Sequence, residues 1–291
     1  MANDTLTRDG STLSGLDALE IAAQQKITTR AGRLWNGVWP KVGAIALAIL
    51  LWQIVVWTGW KPEYALPPPA AVFGDLARYV ATGAFWDGLA TTGRRAAIGF
   101  GAAVGIGLLI GLAVARVRLL RAAIGSMITA LQTMPSIAWF PLAILLFQLS
   151  ERAIFFVVVL GAAPSIANGV IYGLDYIPPL LLRAGRNIGA RGVNLYRYVI
   201  VPAALPAIIA GLKQGWAFAW RSLMAGELLV VIATKTSIGA QLTYARELSE
   251  AERLMSIMIV ILVVGLLVDA AFGAADRAVR RRWGVLDQTG A

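Results

Sequence analysis

VGAIALAILLWQIVVWT, residues 42–58, decides what kind of fold this chain can have. The stretch holds no charged residue. Trp35 and Trp39 precede it, and Trp57 and Trp60 close it. From Trp39 to Trp60 a helix rises about 31 Å at 1.5 Å per residue. That matches a hydrocarbon core of about 30 Å with an aromatic belt at each face. The alternative, a long helix buried in a soluble core, is disfavoured because the pattern recurs.

Further apolar stretches cover residues 96–115, 124–149, 153–173, 206–232 and 254–274. Composition agrees: of 291 residues 58% are hydrophobic and 14% charged, with mean hydropathy +0.70. Soluble domains hold about 45–50% apolar and about 25% charged residues. The reading is an all-α, polytopic membrane protein of about six transmembrane helices. Residues 1–41 form a tail, 42–275 the transmembrane domain and 276–291 a second tail. The first tail lacks the early apolar run of a secretory signal and is expected to stay on the protein. No linker divides the chain further.

The connections carry their own signals. In ALPPPAAV (65–72) three prolines preclude helix, and residues 75–82 are expected to form a short interfacial helix. Gly101, Gly105, Gly107 and Gly111 make two G-x-x-x-G pairs, which let helix backbones approach closely. Pro135 and Pro141 interrupt the third apolar stretch. Such breaks are tolerated at membrane depth where the backbone is buried in protein or lines a cavity. Pro135, Trp139 and Pro141 are therefore candidates for a solute path, with a simple kink as the equal alternative. Asn168, polar inside the fourth stretch, joins them.

The net charge of +10 would suggest nucleic acid in a soluble protein. Here the basic residues cluster between apolar stretches, with no polar face of interleaved aromatics, so no nucleic-acid partner is expected. Placing both termini in the cytoplasm puts sixteen of the 26 Lys and Arg inside and eight outside, the bias the positive-inside rule requires. Arg94 and Arg95 count as outside, at the start of the second span. The chain has no Cys and no His. Thiolate chemistry, His general bases and His-ligated metals are absent. No cofactor and no metal are expected.

IPPLLLRAGRNIGARGVNLYRYVIVPAALPAIIAGL, residues 177–212, carries the functional signal. Pro178 and Pro179 start it, Gly189 offers a bend, and Pro202 and Pro206 mark re-entry into the membrane. A short helix here projects Arg183, Arg186, Arg191 and Arg197 away from the bilayer. Anionic headgroups also attract such residues, but they require no helix–Gly–helix frame. A docking element for a cytosolic partner is favoured.

The segment resembles the cytoplasmic coupling motif of ABC importer permeases. Arg183, Ala184 and Gly185 stand at the motif's Glu-Ala-Ala, Gly189 at its Gly, and Leu205 and Pro206 at its Leu-Pro. Arg186 lies within the same segment, which covers about 177–206. The resemblance runs from about 66 to 282. PPPAAVF (67–73), PSIAWFPLAILLF (135–147), the 220–227 run and VGLLVD (264–269) resemble the branch that imports aliphatic sulfonates, taurine, nitrate and related anions. The motif's Glu is Arg183 here and its second Ala is Gly185, which weakens the helix by about 0.5–1 kcal/mol relative to Ala.

The resemblance implies a type I importer permease fold and several partners. These are two cytosolic ABC ATPase subunits, an extracytoplasmic solute-binding protein, a second copy of the chain, and the lipid of the inner membrane. The chain has no G-x-x-x-x-G-K-[ST] and no Gly-Lys pair, so ATP hydrolysis is expected in a separate subunit. A stand-alone secondary transporter or channel would favour inverted repeats, and none is visible.

Three charges fall in the fifth stretch. Lys213 can snorkel from its cytoplasmic end. Arg221, next to Trp220, suits an oxyanion by paired hydrogen bonds, and both are candidates for the solute path. Six residues turn a helix by about 600°, which leaves Glu227 on a different face from Arg221. Glu227 is read as mainly structural.

Overall fold

The computed structural model describes residues 30–232 and 234–282, and every regular element in them is helical. Most of the 1–41 tail and the last nine residues of the 276–291 tail lie outside the described residues. The chain forms two compact units, residues 1–61 and 62–291. The first holds one described helix, α1 (Arg30–Trp57). It starts twelve residues before the apolar stretch, and from Trp39 onward its own unit covers none of it. A helix apolar all round is stable only against lipid or other protein.

The second unit opens with α2 (Pro69–Val80). The proline run starts this helix rather than preventing it. Pro69 occupies the first helical position, where its fixed φ suits the helix and its missing N–H is no loss. α3 (Gly83–Arg116) is capped by Thr82, which accepts from the Phe85 amide. α4 (Arg118–Thr133) is followed by a 3₁₀ turn over Ser136–Trp139 and by α5 (Phe140–Phe147), bent 104° from α4. α6 (Glu151–Asp175) is the central helix. α7 (Pro179–Asn187) leads to α8 (Val193–Leu229), and α9 (Ile238–Glu247) and α10 (Ala251–Arg282) complete the unit.

The broken α4–α5 segment crosses the layer. At its start Arg121 donates to both oxygens of Asp175, at 2.8 Å each, at the end of α6. After α5 the chain reaches Glu151, at the other end of α6. Counting it as one span, five long apolar helices become six.

α6 packs on α3 and α8 through residues without side chains. A Cβ on Gly107 would lie 2.8 Å from the Ala163 carbonyl, and one on Gly111 2.8 Å from that of Ala167. On the other flank a Cβ on Gly169 would lie 2.6 Å from the Gly211 Cα. In lipid, close backbone approach supplies the van der Waals contact that the hydrophobic effect does not. Gly107 and Gly111 thus meet α6, as their spacing suggests. Gly101 and Gly105 face open space, because they sit on the far side of α3.

Candidate functional site: a basic hinge, a polar groove and a buried ion network

α7 begins at Pro179 and ends where Gly189 takes φ +89 and Gly192 φ +53. Both values are cheap only for residues without a Cβ. The chain turns back and α8 begins at Val193, well before Pro202. Re-entry is therefore not marked by Pro202 and Pro206, which lie inside a continuous helix. Pro202 has no N–H to return to the Tyr198 carbonyl, and the helix widens into a π turn over Tyr196–Ile200.

Gly185 is the buried residue of α7. A Cβ there would lie 2.8 Å from Val199 Cγ2 and 3.2 Å from Leu195 Cδ1. Close packing of α7 on the start of α8 thus explains why Gly stands where the motif has Ala. Arg183, Ala184, Arg186 and Arg191 are exposed. The three arginines make no ion pair among the described residues. Leu205 and Pro206 sit half-buried on α8, beyond the hinge.

Asn168 lies in a cavity of 280 Å³ between α4, α6 and α8. Its Nδ2 donates to Gln132 Oε1 at 3.1 Å, and Gln132 Nε2 donates to Ser165 Oγ at 2.9 Å. Each amide keeps a second N–H. Gln214 of α8 and Thr129 of α4 complete the polar lining. Polar side chains within a membrane layer are costly unless they face protein or water, and these five converge on one groove. Gln132 and Gln214 were missed in the sequence, since a single amide beside an apolar run carries no period of its own.

The other path candidates do not meet there. Trp220 and Arg221 line a separate cavity of 420 Å³ between α8 and α10, walled by Trp216, Leu262 and Leu266. The Arg221 guanidinium lies 5.8 Å from the Phe218 ring and has no carboxylate partner among the described residues. Trp139 packs half-buried against the α3–α6–α8 core, while Pro135, at the break before α5, and Pro141, in the first turn of α5, are exposed.

A third assembly lies at the end of the unit opposite α7. Arg95 is 1% exposed and lies three turns inside α3, not at the start of the span. Its Nη1 donates to Glu227 Oε1 at 3.0 Å and its Nε to Glu151 Oε1 at 3.1 Å. Glu227, fully buried, also accepts from Thr92 Oγ1 at 2.9 Å and from the Gly239 amide at 3.0 Å. Lys235 reaches Glu151 at 3.0 Å, and Arg94 reaches it at 3.2 Å. One carboxylate thus ties α3 to the first turn of α9, where the free amides and helix dipole favour an anion. The sequence reading puts Arg95 at the start of the second span because α3 starts about thirteen residues before the apolar run, and Thr82 is the signal of that start.

A layer of long apolar helices with a polar cavity between three of them and an exposed basic helix at one end fits a membrane-embedded transport subunit. Residues 103–281 match the family described as binding-protein-dependent transport system inner membrane component, and the chain belongs to that family. It is the permease subunit type of ABC importers, the translocating and non-enzymatic component, and a multi-pass inner-membrane protein. The aliphatic sulfonates transport permease protein SsuC of Escherichia coli, itself named as putative, is 31% identical over 79% of this chain and 86% of its own length. The riboflavin transport system permease protein RibX of Chloroflexus aurantiacus is 30% identical over 88% and 96%. The taurine transport system permease protein TauC of Escherichia coli is 25% identical over 81% and 86%. Among solved structures, the inward-facing MetNI methionine ABC transporter superposes with a TM-score of 0.54 at 20% identity, over 67% of this chain and 93% of that one. An amino acid ABC transporter with histidines gives 0.52 at 19%, over 71% and 97%. These two likenesses establish the fold.

Proposed function

We propose that two copies of this chain form the membrane path of an ATP-driven importer for a small anion of the sulfonate, taurine or nitrate kind. α7 faces the cytoplasm and seats a separate ATPase subunit, both termini lie on that side, and a solute receptor works from the other face. The carrying observation is the mechanical one. An exposed arginine helix is hinged on Gly189 and Gly192 and packed through Gly185 onto α8, which continues into the groove. Movement of α7 by an ATPase is thereby movement of a groove wall.

The groove suits an anion that must pass rather than stay. Its amides and hydroxyls offer hydrogen bonds but no fixed charge, so an oxyanion is held briefly and released. Relatives named for sulfonates, taurine and riboflavin support a receptor that sets most of the selectivity. The unpaired Arg183, Arg186 and Arg191 favour the cytoplasmic side by the positive-inside rule.

Coexpression tests the reading. An ATPase subunit should copurify with the chain, and replacing residues 186–191 by Ala and Gly should release it. A complex that survives that replacement, or ATP-independent uptake by the chain alone in proteoliposomes, would overturn the assignment.

A further inference from the structure

Along α8, Arg221 stands two turns beyond Gln214 on the same stripe of the helix. Gln214 lines the polar groove, and Arg221 lines the 420 Å³ cavity between α8 and α10. That volume suits an organic ligand, whose sites span about 300–1,000 Å³. Its walls are mostly apolar. Trp216 and Trp220 stack with ring centroids 5.9 Å apart and planes inclined by 21°. Trp216 is held edge-on to Phe100 of α3 at 5.3 Å. Gly265 lets the Trp220 indole approach α10, since a Cβ there would lie 3.2 Å from Nε1. Two donors in this apolar setting are unused. The exposed Arg221 guanidinium and Trp220 Nε1 make no hydrogen bond among the described residues. The carboxylate in the wall, Asp269, is already held by Lys213 at 3.2 Å, at the end nearer the hinge.

We infer that this cavity binds the solute as an organic anion, with the oxyanion on Arg221 and a flat apolar body on the Trp216–Trp220 wall. The inference rests on the importer reading above and narrows its solute class. A guanidinium meets an oxyanion through parallel N–H groups, and the indole faces pack against a flat apolar body. Trp220 Nε1 supplies a further donor. Nitrate has no body to place there. Taurine brings an ammonium, and the wall's carboxylate is already paired. A sulfonate with an aryl group satisfies both parts of the cavity. Lipid is a poor occupant. An unpaired guanidinium within a spanning helix is costly against acyl chains, so this face meets protein or water. The neutral groove at Gln214, two turns nearer the hinge, then accepts the anion with no fixed charge to retain it.

The test measures naphthalenesulfonate binding to the full chain in nanodiscs, with empty discs subtracted. Binding should saturate in the wild type. Toluenesulfonate should displace the probe at a concentration about tenfold lower than methanesulfonate, and taurine should not displace it. Arg221→Gln should weaken the probe about tenfold or more, and Arg221→Lys should weaken it less. Trp216→Leu/Trp220→Leu should erase the preference for toluenesulfonate over methanesulfonate. Equal probe binding by the wild type and Arg221→Gln overturns the inference. Equal binding of naphthyltrimethylammonium also overturns it, in favour of a groove for any apolar body. Wild-type discs that bind no more probe than empty discs overturn it as well. Copurification of the ATPase subunit with the wild-type chain judges the importer reading separately. A complex that forms without probe binding sinks the site alone. Probe binding by a chain that holds no ATPase subunit keeps the organic-anion site and sinks the importer reading.

Discussion

Arg95 and the arginines of α7 are the same residue type in opposite circumstances. Arg95 is 1% exposed and bonded to two carboxylates on two other helices. Arg183, Arg186 and Arg191 are exposed and make no ion pair among the described residues. A guanidinium in low dielectric must be paired and hydrogen-bonded, or its desolvation destabilises the fold. In water it needs nothing, and it is available to another polypeptide. The comparison separates a fixed half, held by buried charge pairs, from a free half whose charges are satisfied by water. Glu227 and Arg95 lock the ends of α3, α6 and α8 together, while Gly189 and Gly192 leave α7 a hinge.

Breaking the lock should have the largest effect. Arg95→Met strands Glu227 without its counter-ion and should cost about 3–5 kcal/mol, seen as loss of monodisperse protein on heating in detergent. Wild-type thermal stability in that variant would break the comparison. Next comes the helix packing that the lock holds in register. Gly169→Val drives a side chain toward the Gly211 Cα, 2.6 Å from the first added carbon, and should cost about 1–3 kcal/mol. Gly101→Val, which points into open space, should be tolerated in the same assay.

Tyr79 sharpens the fixed side at smaller scale. Burial pushes its hydroxyl up to about 12, against the opposing effect of the Arg253 guanidinium, and the hydroxyl donates to Gln241 Oε1. Because the folded state holds the proton more tightly, its contribution is whole below about pH 10 and is lost as pH rises through about 12. Tyr79→Phe should cost about 1 kcal/mol near neutrality and flatten the fall in stability over that window, as alkaline unfolding curves would reveal. On the free side, reversing Arg183, Arg186 and Arg191 to Glu should change stability by no more than about 0.5 kcal/mol. The same triple variant should lose its ATPase subunit in a pull-down. A large drop in its melting temperature would place α7 with the fixed half.

Much of this was legible in the chain. The apolar runs gave the spans, and Pro135 with Pro141 gave the break in the third, where two missing N–H groups fall within seven residues. The basic helix α7 was readable from Pro178, Pro179 and Gly189. What stayed hidden depended on distant partners. Arg95 and Glu227 are 132 residues apart. Reading each in its own window put one at the edge of a span and left the other without a counter-ion. Trp220 belongs to a different face of α8 from Gln214, Arg221 lies two turns further along the same helix, and only the direction of α10 decides what walls each of them.

The sequence by itself determined that the chain lies in a membrane as helices, and where a basic helix framed by proline and glycine falls between two of them. Hydrophobic runs and backbone breaks are local properties that survive any arrangement of the rest. Tertiary structure alone decided which polar groups share a groove, which glycines touch, and which arginine is locked. Each of those depends on the rotation of one helix against another, fixed by side-chain fit across the whole unit.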